Sequence, residues 1–531
     1  MTCAEAIAHE LYELGVRRAF GHPGGEIVEL IEALETNGIE FVLTGHEAAA
    51  AFMAGVSGRL TGVPGVCLST LGPGACNAVL GVASAWLDRD PLLYFSARTP
   101  DALNERSNKQ NLPLSEVFSP ISKSSVRLDG HGTPIAVREA ASLALTPPRG
   151  PVHLSLPPDV AGKEDRTRTR SKVRDESCVS SGLETIHTAL NESQRPVTAV
   201  GLALDSHRDH QAVRRFLAET GIPFVVLPQA KGVADDRAEG YLGTIASAAG
   251  DDVAVEAVKV SDCLLGIGFD PVESCHDWHR DRPFCSISNG SVAFRDFSPT
   301  VECVGNVTKL LDELRGKYAG RPTWPPDELR QIRGRVRAAM IPEEKETEAG
   351  LSPYHVMERL QQSVPEETIL ATDVGAHKML ISQVWHAPRP GSFLVSNGLS
   401  SMGFGLPASL AASLLSPERS VVAVVGDGGF GMMVQELETA VRLKVKPLVV
   451  VLCDRSLAVI KIAQKAKKLP LRGVDFGTVD WAAVAEGFGA KGLWVHSFEA
   501  LASAVVDWVA NRQLTVLAVR IDENLYRGLT Y

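Results

Sequence analysis

Short, almost wholly apolar runs recur along this chain, each trailed by a segment of helical spacing, and this alternation restricts the fold most. The runs are FVLTG (41–45), GVCLST (65–70), PLLYFSA (91–97) and PVHLSL (151–156), then PVTAVG (196–201), PFVVLP (223–228) and CLLGIG (263–268). TILATD (368–373), VVAVVGDG (421–428), PLVVVLCD (447–454) and TVLAVRI (515–521) complete the set. A strand that is apolar on both faces must be covered on both faces, as in a parallel sheet between layers of helix. Strand and helix in alternation therefore predict doubly wound α/β domains. At 531 residues the chain exceeds one core and suggests about three domains. Two stretches break the alternation. Residues 162–182 are polar with mixed charge, and residues 313–350 carry the proline-rich turn RPTWPPDE and then a charged helix-like segment ending in EEKETEAG; both read as connectors. Three parallel-sheet domains are expected at 1–165, 183–325 and 345–531.

A formal charge of −10 with 22% charged residues leaves no concentrated basic footprint, which disfavours nucleic acid or an anionic membrane as partner. The one basic run, Arg166 to Arg174, lies among Ser, Asp and Glu and reads as solvated linker. Nine scattered cysteines without a C-x-x-C pair argue against a disulfide framework or a thiolate zinc site. The N-terminal MTCAEAIAHELYELGV lacks the basic start and apolar run of a signal peptide, and no stretch has the length of a membrane span. A cytoplasmic setting is expected.

The sharpest chemical signal is Val421–Phe430, an apolar strand ending in Gly426-Asp427-Gly428-Gly429 ahead of the helix-like MMVQELETAVRL (432–443). Glycines at a strand's carboxyl end let the backbone approach an anion that the following helix N-terminus attracts. An aspartate there would repel a bare diphosphate, unless a divalent cation lies between; Mg²⁺ favours a carboxylate plus phosphate oxygens. A second strand, PLVVVLCD, ends at Asp454, 27 positions after Asp427. Adjacent strand ends can bring both carboxylates to one cation, with Ser456 near enough to add an oxygen. The plainer alternative is a tight turn at GDGG and a helix cap at Asp454; the paired spacing favours the cation.

GDG followed at this distance by Asn or Asp resembles the binding motif for thiamine diphosphate (ThDP) in the pyruvate oxidase and acetolactate synthase superfamily. The resemblance extends over most of the chain. Phe20-Gly-His-Pro23-Gly24-Gly25-Glu26 is similar to the family's FGxPG turn. Gly45-His46-Glu47 with its Ala-rich continuation is similar to R-H-E-x-x-A, and Leu71-Gly72-Pro-Gly-Ala-Cys-Asn77 to S-G-P-G-x-x-N. Thr372–His377 and Ser396–Pro407 resemble two further cofactor-contacting segments. The resemblance implies that Asp427, Asp454 and Ser456 bind Mg²⁺. It also implies that Pro23, Gly72, Asn77, Gly375, Ala376, His377, Gly426, Gly428 and Gly429 lie against the cofactor, that Met402 wedges beneath it, and that the Ser400 carbonyl accepts from its amino group. Taken alone, Glu47 could be a helix-start acid favoured by the helix dipole. The family instead assigns that position to sharing a proton with N1′ of the aminopyrimidine, a proton transfer by a positioned group. In the family this glutamate and the metal motif come from different subunits, so a homodimer is the expected minimum, and a dimer of dimers is common.

Gly268-Phe-Asp-Pro-Val-Glu273 with Trp278, and the segments Glu436–Lys444 and Val474–Gly477, resemble the catabolic acetolactate synthases; a short central domain implies that FAD is absent. That branch implies decarboxylation of a 2-oxo acid and carboligation to a second carbonyl compound. Alternatives are a non-ligating 2-oxo acid decarboxylase or another C–C lyase, and, last, a ThDP-binding protein without turnover. Gly24, Gly25, Gln110 and Ile460 fall where the substrate pocket is expected. The pocket departs from the family pattern: Gly45 replaces an Arg, Asn108-Lys109-Gln110 replaces T-H-Q, Glu26 stands where Lys is frequent, and Leu457–Gln464 lacks a bulky aromatic. The paired histidines of pyruvate decarboxylases are also missing. A substrate other than two pyruvates is therefore a further expectation.

Overall fold

The protein is described by a computed structural model that covers residues 1–100, 103, 109–166, 182–246, 248–274, 283–292, 297–319 and 324–529. Asn108, Trp278, most of the 162–182 connector and the first residues of RPTWPPDE lie outside the described residues. The chain forms two compact units. One comprises Met1–Asp175, Gly398–Glu418 and Met433–Val445; the other comprises Glu176–Asn397, Arg419–Met432 and Lys446–Tyr531.

The first unit holds a six-stranded parallel sheet built from β1 (Arg18–His22), β2 (Glu40–Leu43), β3 (Gly65–Ser69), β4 (Leu92–Ala97), β5 (Ser125–Arg127) and β6 (Pro151–Leu156). Its order is β2-β1-β3-β4-β6-β5. The chain steps outward from β1 to β2 and then crosses to β3, so the sheet has a switch point between β1 and β3, where such folds leave a crevice at the strands' carboxyl ends. Strands β3, β4 and β6 are buried at every position, as their apolar runs require.

The second unit holds two more parallel sheets. The central one takes β7 (Pro196–Val200), β8 (Phe224–Val226), β9 (Tyr241–Thr244), β10 (Cys263–Ile267), β11 (Phe284–Ser288) and β12 (Val301–Val304) in the order β12-β11-β10-β7-β8-β9. The other takes β13 (Ile369–Thr372), β14 (Phe393–Val395), β15 (Val421–Gly426), β16 (Leu448–Cys453), β17 (Lys491–Val495) and β18 (Thr515–Arg520) in the order β14-β13-β15-β16-β18-β17. Its switch point lies between β13 and β15. All inter-strand pairings within the three sheets are parallel, so the expected α/β class is what the chain adopts.

Two sequence expectations change locally. The helix-like segment within 313–350 forms as Pro326–Met340, but it is more than a connector, since its Ile332 and Val336 join Trp324 in the apolar core of the central sheet. Its apolar side chains recur at helical spacing, and that stripe outweighs its charged surface. The helix expected over 432–443 is instead two short helices, Asp427–Met433 and Glu436–Arg442. No helix among the described residues is long and apolar enough to cross a membrane, and the cysteines described are free thiols.

The helices Glu47–Thr61 and Pro73–Leu87 cross closely in the first unit. A Cβ at Gly81 would lie 2.4 Å from the Ala51 Cβ and 2.8 Å from the Ala48 carbonyl oxygen. Gly81→Ala should therefore force the helices apart, costing about 1–3 kcal/mol of overpacking. A fall in melting temperature accompanied by weaker cofactor retention is expected, because the displaced helix begins at Glu47.

Candidate cofactor and metal site

In the first unit, β2 ends just before Glu47, which opens the Ala-rich helix. His46 caps that helix, its Nδ1 accepting the Ala48 N–H at 3.0 Å. The preceding loop is held by a buried carboxylate: Glu436 Oε2 accepts from the Gly45 amide at 3.1 Å and from Thr439 Oγ1 at 2.8 Å. A Cβ at position 45 would lie 2.8 Å from Gln435 Cγ and 3.0 Å from Glu436 Oε1. That crowding is a local reason for glycine at a position where the resemblance led to an expectation of arginine.

Glu47 is buried, and its two oxygens differ in environment. Asn77 Nδ2 donates to Oε2 at 2.9 Å. Oε1 faces Gly74, where a Cβ would stand 3.0 Å from it and 2.7 Å from Thr70 Cγ2. The glycine keeps that oxygen clear. Thr70 also fills the space a side chain at Gly24 would need, at 2.4 Å from its Cβ, and donates through Oγ1 to Glu26 Oε2 at 2.6 Å. Gly72, at φ +60°, packs over Gln110, whose own φ is +56°. The turns after β1 and β3 thus bring Gly74 and Asn77 against Glu47 and Gly24 against Thr70, while Gln110, from the segment after β4, packs on Gly72. Pro23 and Gly25 are exposed, and nothing approaches the position of a Gly25 side chain.

Ser400 and Met402 belong to the same unit. They precede the helix Gly405–Leu415, which packs on the Glu47 helix with Phe404 edge-on to Phe52 at 5.6 Å between ring centroids. Ser400 is exposed with φ +56°, and Met402 is half-buried.

In the second unit, Gly426 pairs with Leu452, so Asp427 follows the end of β15 and Asp454 follows the end of the neighbouring β16. Asp427 accepts from the Gly428 amide at 2.8 Å and the Arg455 amide at 2.7 Å. Asp454 Oδ1 accepts from the Ser456 amide at 2.9 Å and its hydroxyl at 3.1 Å. Burial pushes the Asp427 carboxyl up to about 6, against the pull of those two amides. Burial, then the negative charge of Asp427, pushes Asp454 up to about 7, with Glu523 adding to the effect. Two neighbouring carboxylates, both raised by burial and Asp454 also by the charge of Asp427, form a hard-oxygen donor set that a divalent cation would complete. The residues fit Mg²⁺ on that ground.

His377 is buried at the start of the helix Ala376–Val384, with Ala376 buried beside it. Its Cε1 stands 2.8 Å from where a Gly375 side chain would begin and 3.3 Å from the corresponding point at Gly426. Burial lowers its pKa to about 4, so the ring is neutral near pH 7. It packs the turn beneath Gly426 and carries no charge toward an anion. Gly428 and Gly429 lie in the short helix Asp427–Met433, and Ile460 is an exposed residue on the helix Ala458–Ala466.

Sequence reasoning missed four contributors. Thr70 and Glu436 shape the Glu47 loop. Glu523 contacts the Ser456 hydroxyl and pairs with Lys461 at 2.8 Å, and Lys461 also reaches Asp475 at 2.6 Å. None belongs to a recognisable spacing with the residue it touches, so no local pattern could have revealed it.

Comparison with known proteins gives a consistent result. Residues 1–117 match the N-terminal TPP binding domain of thiamine pyrophosphate enzymes, 183–314 the central domain and 373–519 the C-terminal TPP binding domain. The chain is 30% identical to an acetolactate synthase of Bacillus subtilis (strain 168), covering 98% of this chain and 93% of that protein. It is 30% identical to the catabolic acetolactate synthase of Raoultella terrigena, covering 94% and 91%, and 30% identical to the putative thiamine pyrophosphate-containing protein YdaP of Bacillus subtilis (strain 168), covering 98% and 92%.

The raised aspartates set a pH dependence. Their folded pKa values lie above those of free carboxyls, so protons compete with a cation as pH falls through about 7 and then about 6. Mg²⁺ affinity, followed by calorimetry, should fall at least about tenfold between about pH 7.5 and about pH 5.5. Asp454→Asn should bind Mg²⁺ more weakly and show a shallower pH dependence.

Proposed function

The chain belongs to the thiamine pyrophosphate enzyme family, and from that premise we propose that it is a ThDP- and Mg²⁺-dependent 2-oxo acid carboligase of the acetolactate synthase type. The observation that carries the reading is Glu47: one carboxylate oxygen is tied to Asn77 and the other is kept clear by Gly74. The whole-length similarity to acetolactate synthases supports it.

ThDP, when bound, would supply the nucleophilic carbon and the electron sink that decarboxylation of a 2-oxo acid needs. The chain's own residues do the rest. Glu47 would share a proton with the cofactor's pyrimidine through Oε1, the oxygen that Gly74 keeps clear, while Asn77 fixes the carboxylate through Oε2. The glycines at Gly72 and Gly74 admit the cofactor's ring close to the backbone. Asp427, Asp454 and Ser456 would hold Mg²⁺, and Gly428, Gly429 and the turn at Gly375 would lie along the diphosphate. Met402 would support the bend between the two rings, and Gly24, Gly25, Gln110 and Ile460 would line the substrate side.

Glu26, hydrogen-bonded to Thr70, favours a second reading. An acid in that neighbourhood could deliver a proton where a ligase admits a second carbonyl, so that an aldehyde leaves instead of an acyloin. For assembly we propose a homodimer at least, Glu47 of one protomer acting with Asp427 and Asp454 of its partner. Exposed apolar side chains next to both half-sites support this: Leu80 follows Asn77, and Met432 and Ile460 flank the aspartates. Free thiols support a reducing, cytoplasmic setting.

Product identification after incubation with ThDP, Mg²⁺ and a panel of 2-oxo acids decides between ligase and lyase. Acyloin or acetohydroxy acid products are expected; free aldehydes alone would favour the second reading. Glu47→Gln should retain ThDP, while proton exchange at its C2, followed by NMR, slows by about 10²–10⁴-fold. Wild-type exchange in that variant would refute the role given to Glu47.

A further inference from the structure

A buried lysine and two acids adjoin the aspartate pair without belonging to it, and strand register brings them there. β16 and β18 are neighbours, with Cys453 paired to Arg520 and the Ile521 amide donating to the Cys453 carbonyl at 3.2 Å. Three residues beyond each member of that pair come Ser456 and Glu523. Their side chains touch, Glu523 Oε2 accepting from Ser456 Oγ. The turn that carries Glu523 is fixed by Asp522, which accepts from the Asn524 amide at 2.8 Å and from Thr347 Oγ1 at 2.7 Å.

Lys461 holds the Glu523 carboxylate by both oxygens. Its Nζ donates to Oε1 at 2.8 Å and to Oε2 at 2.9 Å, and it also meets Asp475 at 2.6 Å. The lysine is buried, and a buried ammonium is costly unless it is paired. Burial works against its charge, yet the bonds to Asp475 and Glu523 keep its pKa above the ordinary lysine value. A short antiparallel contact brings Asp475 into place. Ser456 bridges to Asp475, the Leu457 amide donates to the Val474 carbonyl at 2.8 Å, and the Phe476 amide donates to the Arg455 carbonyl at 2.7 Å. Glu523 and the segment 474–476 thus both meet Ser456, and Lys461 joins the two.

The chemistry of one hydroxyl gives this arrangement its consequence. Ser456 Oγ stands within hydrogen-bonding reach of two carboxylates, Glu523 and Asp454, whose Oδ1 lies 3.1 Å away. A serine hydroxyl has one proton to donate and two lone pairs to offer, so it serves one carboxylate at a time. Donation to Asp454 aims the proton at that carboxylate and the lone pairs away from it. Donation to Glu523 does the reverse, and lone pairs facing Asp454 are favourable when a cation such as Mg²⁺ takes both oxygens. Asp454 Oδ1 already accepts from the Ser456 amide at 2.9 Å, so it does not depend on the hydroxyl.

We propose that Glu523 is a positioning residue for the cation site: held by Lys461, it accepts the Ser456 O–H, and the hydroxyl oxygen presents its lone pairs to Asp454 and the cation. Glu523 acts through Ser456 and not through its own charge. The inference rests on the Mg²⁺ reading of Asp427 and Asp454.

The test is a calorimetric Mg²⁺ titration of the full chain with ThDP present, in wild type, Glu523→Ala, Ser456→Ala and the double variant. Each single variant should bind Mg²⁺ about 10–100-fold more weakly than wild type. The double variant should bind no more weakly than Ser456→Ala, because Glu523 then has nothing left to orient. Glu523→Asp keeps the charge but draws the acceptor back by one carbon, so it should lose as much as Glu523→Ala. It also takes that variant's place in the cycle if the alanine does not fold. Wild-type affinity in Glu523→Ala or in Ser456→Ala, or losses that multiply in the double variant, overturns the proposal. Full affinity in Glu523→Asp beside a loss in Glu523→Ala assigns the effect to charge and overturns it as well. A wild type that binds no Mg²⁺ counts instead against the aspartate pair as a metal site, and this inference falls with it.

Discussion

Asp427 and Asp454 follow the ends of neighbouring parallel strands, and the one-to-one register of β15 and β16 gives them no means of moving apart. Each sits in poor contact with water, and the charge of Asp427 makes ionisation of Asp454 more costly. Backbone amides at Gly428, Arg455 and Ser456 meet part of that charge but leave the pair raised to about 6 and about 7. A divalent cation between the two aspartates would offset charge that burial leaves costly. Its neighbours follow the same logic: Glu523, a third acid close by, is balanced by Lys461.

The other half of the machinery depends on absence of side chains more than on attraction. Glu47 keeps one oxygen open because Gly74 has no Cβ, and Gly24 and Gly72 let Thr70 and Gln110 close around it. Both halves lie at switch points of their sheets, between β1 and β3 and between β13 and β15. There the connecting helices diverge and strand ends are left uncovered, so one topological device serves a carboxylate in one unit and an aspartate pair in the other.

The strands legible in the sequence were the apolar ones buried on both faces, such as PVHLSL, which forms β6 at its expected bounds. Those that escaped had weaker signals. β5 and β14 are three residues each, β12 is only partly buried, and β11 alternates serine with apolar residues. β1 carries a glycine that its neighbours require, since a Cβ at Gly21 would meet the Leu68 carbonyl at 2.5 Å. The break in the 432–443 segment escaped because helical periodicity continues across it and only tertiary packing decides where a helix is interrupted.

By itself the sequence determined the α/β class, the strand-end aspartates and the glutamate that opens an Ala-rich helix, because each is written in local spacing. Only the tertiary structure decided which groups meet them. Asn77 on Glu47, Glu436 on Gly45 and Glu523 on Ser456 join residues whose chain separation carries no pattern. Periodicity reports which face of an element is buried; it does not report what another element, many residues away, places against that face.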